Sequence, residues 1–185
     1  MSEKKYTVAR VGPEITDFLS RILKRARLRL TPEVREPEPR YTDFENPDLV
    51  VNFTGPDVAL LLENKAELLL ALEHLTHEML RMPPQDHALV VFDANDYRML
   101  RIEELRLSAL TAAEKVKATN QPFRFNPMSS RERRILHLAL RNEPGVRSES
   151  TGEGPNRGVV IYPAGMPSEA PPAPSRSPSA GRRRR

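Results

Sequence analysis

A chain of 185 residues with 18 prolines, no cysteine and only 5% aromatics can bury one modest aliphatic core or two small ones, and has no disulfide, thiolate metal site or cysteine nucleophile. Its formal net charge of +4 is unevenly spread: residues 1–121 hold 17 Lys+Arg against 20 Asp+Glu, residues 122–162 hold 7 against 4, and residues 163–185 hold 5 against 1. An anionic partner would therefore meet the C-terminal third.

The opening MSEKKYTVAR lacks the apolar run of a signal peptide. The most apolar stretch, DVALLLENKAELLLALEHL, is interrupted by Glu63, Lys65, Glu67 and Glu73, too much charge for a bilayer span. A cytoplasmic protein with no integral membrane segment is expected. Ile15, Phe18, Leu19, Ile22, Leu23 and Ala26 recur at helical spacing and predict a helix over 13–26. Leu28, Leu30 and Val34 begin an alternating strand, and DLVVNFTG is a second strand ending at Gly55-Pro56. A helical region runs from Asp57 to Met82, bent or broken near Glu63-Asn64-Lys65-Ala66. HALVVFDA reads as a buried strand, and Asp96 as the cap of a long helix ending near Thr119-Asn120. PFRFN is a short strand. Ser129 and Glu132 have capping-box spacing, and VRSES and VVIYP are the arms of a hairpin turning at GEGPNRG. Strands and helices mix without a repeated βαβ unit, so the fold class is α+β. From Pro163 onward the chain is rich in Pro, Ser, Ala and Arg without apolar periodicity, and residues 164–185 are read as a disordered tail.

The helix opened by Ser129, SSRERRILHLALR, carries four arginines and one histidine in thirteen residues. At about 100° per residue, Arg133, His137, Arg141 and Arg134 fall within about 100° of one another, opposite Ile135, Leu136, Ala139 and Leu140. One face suits a core and the other is cationic. A solvated basic face would account for the pattern. So would phosphate binding, in which Arg forks hold phosphate oxygens and an imidazole donates a hydrogen bond or stacks on a base.

The order PFRFNPMSSRERRILHLAL, spacer, VRSESTGEGPNRGVVIYP resembles the R-three-H domain, a single-stranded nucleic-acid-binding module named for an Arg and a His separated by three residues, here Arg133 and His137. The helix beginning DANDYRMLRIEELRLSAL is similar to that family's opening helix. The resemblance implies Arg133 and His137 as binding residues, with Arg157 of the hairpin as a helper and Arg134 and Arg141 beside them. The upstream pattern is similar to a type II KH domain, the combination found in the bacterial Jag family; the small N-terminal domain that many of its members carry is not expected here. The domains expected are thus 13–95, KH-like; 96–163, R-three-H; and 164–185, tail. KH domains grip backbone phosphates through a GxxG loop. Glu63-Asn64-Lys65-Ala66 stands at that place, so the loop is degenerate and Lys65 is its one useful cation.

His74 and His77 lie three apart on a helix, but without HExxH order or a third ligand they are expected to be ordinary surface histidines. Asp93–Tyr97 lacks the glycine of a calcium loop. No P-loop or G-x-S-x-G elbow is present. No metal, no cofactor and no enzyme activity are expected. The resemblance implies a single-stranded RNA-binding regulator, connected with cell elongation or envelope growth, that accepts DNA as a second ligand and a small stand-alone KH protein as a partner. The rival expectation is an adaptor whose KH-like half contacts a protein.

Overall fold

The computed structural model describes residues 4–38 and 44–167, which divide into two compact units with the boundary after Leu107. The first contains α1 (Val8–Ala26), β1 (Thr31–Arg35), β2 (Leu49–Thr54), α2 (Val58–Met79), a 3-10 turn (Pro84–Asp86) and β3 (Val90–Ala94). Helix α3 (Tyr97–Thr119) crosses the boundary. The second continues with β4 (Phe123–Arg124), α4 (Ser130–Ala139), β5 (Val146–Thr151), a 3-10 turn (Gly154–Asn156) and β6 (Gly158–Pro163). The α+β class holds.

In the first unit the sheet order is β1-β2-β3, with β1 antiparallel and β3 parallel to β2. Leu49, Val51 and Phe53 of β2 face the core, where Phe53 meets Phe92 at a ring-centroid distance of 5.4 Å. The apolar stripe Val11, Ile15, Leu19 and Leu23 of α1 is buried in the same core. Helix α1 starts five residues before the expected Pro13, because a proline this close to a helix start removes only one backbone bond while the buried stripe already begins at Val11. Strand β1 starts at Thr31 rather than Leu28. The Asp57 carboxylate takes both the Arg29 backbone N–H (2.7 Å) and its guanidinium (2.7 Å), so ladder pairing begins beyond it. Gly55, at φ 129°, is where the chain crosses Arg29 so closely that a Cβ would lie 2.4 Å from the Arg29 carbonyl oxygen.

Helix α2 is broken where the sequence predicts. Glu63 is extended (ψ 153°), and Asn64, Lys65 and Ala66 are consecutively left-handed at φ 51°, 63° and 62°. The Tyr97 hydroxyl donates to the Lys65 carbonyl at 3.1 Å and pins the break.

The half of α2 after the break leaves His74 exposed as expected but corrects the expectation for His77. His77 is buried, its Nε2 lies 2.7 Å from the Val90 carbonyl, to which it donates, and its ring stacks on His87 at 4.5 Å. One turn earlier, buried Glu73 accepts the Phe92 N–H at 2.8 Å. Val90 and Phe92 lie two apart, so these are the outward backbone groups of β3, which the sheet leaves at its edge. The sequence pattern could not show this, since Glu73 and His77 occupy a polar i, i+4 pair that a solvated face would also carry. The cap of α3 also differs. Asp93 Oδ1 accepts from Arg98 N (3.1 Å) and Ala94 N (2.9 Å), while Asp96 sits in the turn at φ 55°.

In the second unit the sheet is antiparallel in the order β4-β6-β5. All six residues of β6 are buried, as are Ala109, Ala112, Ala113 and Val116 of α3 and Ile135, Leu136 and Leu140 of the α4 region. Pro163 ends β6 opposite Val146, and the Ala164 N–H reaches the Gly145 carbonyl at 3.0 Å, so the ordered fold runs past the expected start of the tail. Residues 168–185, which hold most of that tail, lie outside the described residues.

Candidate nucleic-acid interface

The capping box fixes where α4 begins and therefore which side chains face which way. Ser129 Oγ accepts from the Glu132 N–H at 3.3 Å and Glu132 Oε2 accepts from the Ser129 N–H at 3.0 Å. With that phase Ile135, Leu136 and Leu140 point into the core. Arg134 and Arg141 are exposed, and Arg133 and His137 are half-buried between the two faces.

An open cleft of about 510 Å³ lies against the cationic side. Arg133, Arg134, His137 and Arg141 of α4 line it, together with Ser150 of β5 and Arg157 of the loop before β6. The loop that carries Arg157 is shaped by Gly152, at φ 89°, where a Cβ would stand 2.6 Å from the Asn156 carbonyl oxygen. The Arg157 carbonyl accepts the Met128 N–H at 3.1 Å, which ties the loop to the segment before α4. Among the described residues, none of Arg133, Arg134, Arg141 and Arg157 has a carboxylate partner. Arginines elsewhere do: Arg29 pairs with Asp57, Arg98 with Glu45, Arg106 with Glu103 and Arg147 with Glu149. Four uncompensated guanidinium groups at one concavity make a site for an anion.

Arg133 carries the clearest signal. Its Nε and Nη1 are buried and have no hydrogen-bond partner. Buried donors are nearly always satisfied, and an unsatisfied N–H costs about 1–3 kcal/mol, more when charged.

His137 is placed beside Arg133 as the sequence predicts, but its ring is turned inward. Nδ1 lies 2.7 Å from Ser148 Oγ and Nε2 lies 2.9 Å from Ser150 Oγ, so both ring nitrogens are engaged by β5. Burial, with the Arg133 charge beside it, pushes the imidazole below the ordinary histidine range, which keeps it neutral at pH 7. The expected stacking or direct donation by this ring does not match its position. Ser148 and Ser150 do not stand out in the sequence, where their two-residue spacing on a strand that faces α4 is the available signal. Lys65 belongs to the first unit, exposed on the break in α2, and does not line this cleft.

Among the described residues no group of three His, Asp or Glu side chains could hold a metal ion, and no helix is long and apolar enough to cross a membrane.

Residues 103–163 match the R-three-H domain. The chain is 35% identical over 121 residues to the RNA-binding protein KhpB of Clostridium symbiosum, covering 65% of this chain and 54% of that protein. It is 37% identical over 112 residues to the RNA-binding protein KhpB of Bacillus subtilis, covering 60% and 54%. To the protein of the same name in Lactiplantibacillus plantarum it is 33% identical over 119 residues, covering 64% and 37%. The chain thus spans about half the length of the first two of these relatives, and less of the third.

Proposed function

We propose that this chain, which carries an R-three-H domain over residues 103–163, binds single-stranded RNA through the cationic cleft of that domain. The observation that carries the reading is Arg133, whose buried N–H groups lack a partner on the wall of a cleft that also holds Arg134, Arg141 and Arg157. Once the Arg133 guanidinium turns outward, a phosphate oxygen satisfies such groups and is held in the two-pronged geometry of Arg forks. RNA is favoured over DNA because the relatives are named RNA-binding proteins. The cleft holds donors for an anion but no carboxylate to act as a general base, and its histidine is engaged by two serines, so binding rather than catalysis is the function assigned.

The element order helix, strand, strand, broken helix, strand in the first unit supports a type II KH-like domain over residues 13–95, with α1 reaching back to Val8. The break at Glu63–Ala66 holds the place of its nucleic-acid loop, where Glu63 opposes phosphate and Lys65 is the remaining cation. That half is assigned a supporting or protein-contacting role, and a small stand-alone KH protein is the partner we infer. The location assigned is the cytoplasm and the role regulatory, consistent with a connection to cell elongation or envelope growth.

Fluorescence anisotropy with a labelled single-stranded RNA oligonucleotide, titrated at several salt concentrations, tests the function. Salt-sensitive binding that Arg133→Ala weakens at least tenfold supports it. Binding unaffected by salt or by that substitution excludes it.

A further inference from the structure

Arginine forks leave open what the two serines beside His137 do. A neutral imidazole carries one N–H donor and one bare nitrogen acceptor. With Ser148 at one nitrogen and Ser150 at the other, one serine accepts from the ring and keeps its own O–H proton free, while the other gives its proton to the ring. Only Ser150 lines the cleft. In one tautomer Nε2–H donates to Ser150 Oγ, the Ser148 hydroxyl donates to Nδ1, and the Ser150 hydroxyl proton is free to point outward. In the other tautomer the Ser150 proton is drawn back to Nε2, and the cleft meets oxygen lone pairs that repel an anion.

We infer that Ser150 is a further phosphate-contacting residue of this cleft, and that His137 acts behind it as the positioning residue that aims the Ser150 hydroxyl at the ligand. The inference rests on the cleft being the nucleic-acid site. It gives His137 a role its geometry can fill, since a ring held at 2.7 Å and 2.9 Å from two hydroxyls has no nitrogen left for RNA. The charged groups near the imidazole fit it as well. Arg133, Arg134 and Arg141 of α4 and Arg157 of the loop are all cations, whereas β5 turns Ser148 and Ser150 toward the ring and Glu149 away from it. Strand β6 places Val159 and Ile161 opposite those serines, neither of which titrates. An anion arriving among these cations selects the tautomer that offers it a proton.

The test uses the full chain and a labelled single-stranded oligouridine. Ser150→Ala is expected to weaken binding by about five- to tenfold, the loss of one hydrogen bond, with the melting temperature little changed. Ser150→Thr, which keeps the hydroxyl, is expected to bind like the parent. In a cycle with His137→Asn, the double variant is expected to bind no more weakly than His137→Asn alone, because the ring works through the hydroxyl. Nitrogen-15 NMR of the parent is expected to show His137 in the Nε2–H tautomer once RNA is added. Losses that multiply in the cycle, an Nδ1–H tautomer in the complex, or parent-like binding by Ser150→Ala would each overturn the inference. Arg133→Ala separates the two levels: if it weakens binding while Ser150→Ala does not, the cleft is the RNA site and only the serine's role is wrong. If the parent does not bind single strands, the function itself fails.

Discussion

The Glu73 carboxylate accepts the backbone N–H of Phe92 at 2.8 Å, both groups buried, and the Arg98 guanidinium lies 3.6 Å from the same carboxylate oxygen. Glu73→Ala leaves that N–H without its acceptor, which costs about 1–3 kcal/mol. Glu73→Gln keeps an oxygen in place and should lose less. Urea denaturation of the two variants checks the order. Equal stability of Glu73→Ala and the parent would show that the contact contributes nothing.

Arg133→Ala removes a guanidinium with unsatisfied donors, so it should leave stability unchanged or slightly raised while weakening RNA binding by about 1.5–3 kcal/mol. With three or four phosphates neutralised, the parent's binding should fall with salt at a slope of about −2 to −3 on logarithmic axes. The variant's slope should be shallower. Anisotropy and thermal melts of the same preparations give both readings.

Leu136, fully buried behind the cationic face, is the control. Leu136→Ala should destabilise the second unit by about 2–5 kcal/mol. It should reduce binding only to the extent that it unfolds the domain, which circular dichroism at the binding temperature will reveal.

The break in α2 can be relieved. Lys65 is left-handed at φ 63° in the middle of three such non-glycine residues, a conformation costing an ordinary side chain about 1–2 kcal/mol. Lys65→Gly should therefore raise the melting temperature, opposed only in part by the greater freedom of glycine in the unfolded chain. Glu63→Gly should not, because Glu63 is extended at φ −61°, ψ 153° and carries no such strain. A melting temperature lowered by Lys65→Gly would contradict the backbone described.

His137 adds a pH dependence. Its imidazole is pushed below its ordinary value by burial and by Arg133, so the folded state binds fewer protons than the unfolded one once the pH drops into the histidine range. Its contribution to stability should decline as pH falls through about 6.5 and level off only below the depressed folded value. Thermal melts from about pH 8 to about pH 5.5 should show a steeper decline for the parent than for His137→Gln. Parallel curves would show that the ring titrates normally.

The sequence is informative wherever a local pattern determines the answer. The capping box, the hairpin of β5 and β6, the buried strand β3 and the pairing of Arg133 with His137 all follow from spacing within one element. Pro13 misleads because a proline early in a helix resembles a proline that starts one. His77 misleads because its partner, the Val90 carbonyl, lies on an edge that exists only after the sheet assembles. Ser148 and Ser150 escape notice for a similar reason: small hydroxyl residues on a half-exposed strand acquire meaning only when α4 is laid across them.

The side-chain contacts of Glu73 and His77 with β3 also limit how a protein could dock on the first sheet. A visiting strand needs a run of open N–H and C=O groups, and on β3 the Val90 carbonyl and the Phe92 N–H are already occupied. On the opposite border, β1 carries Pro32, which brings no N–H of its own. Extending this sheet with a peptide from another chain is therefore disfavoured at both margins. A protein partner of the first unit would have to read side chains and helix surfaces, so its recognition would depend on sequence rather than on an extended backbone that almost any polypeptide can supply.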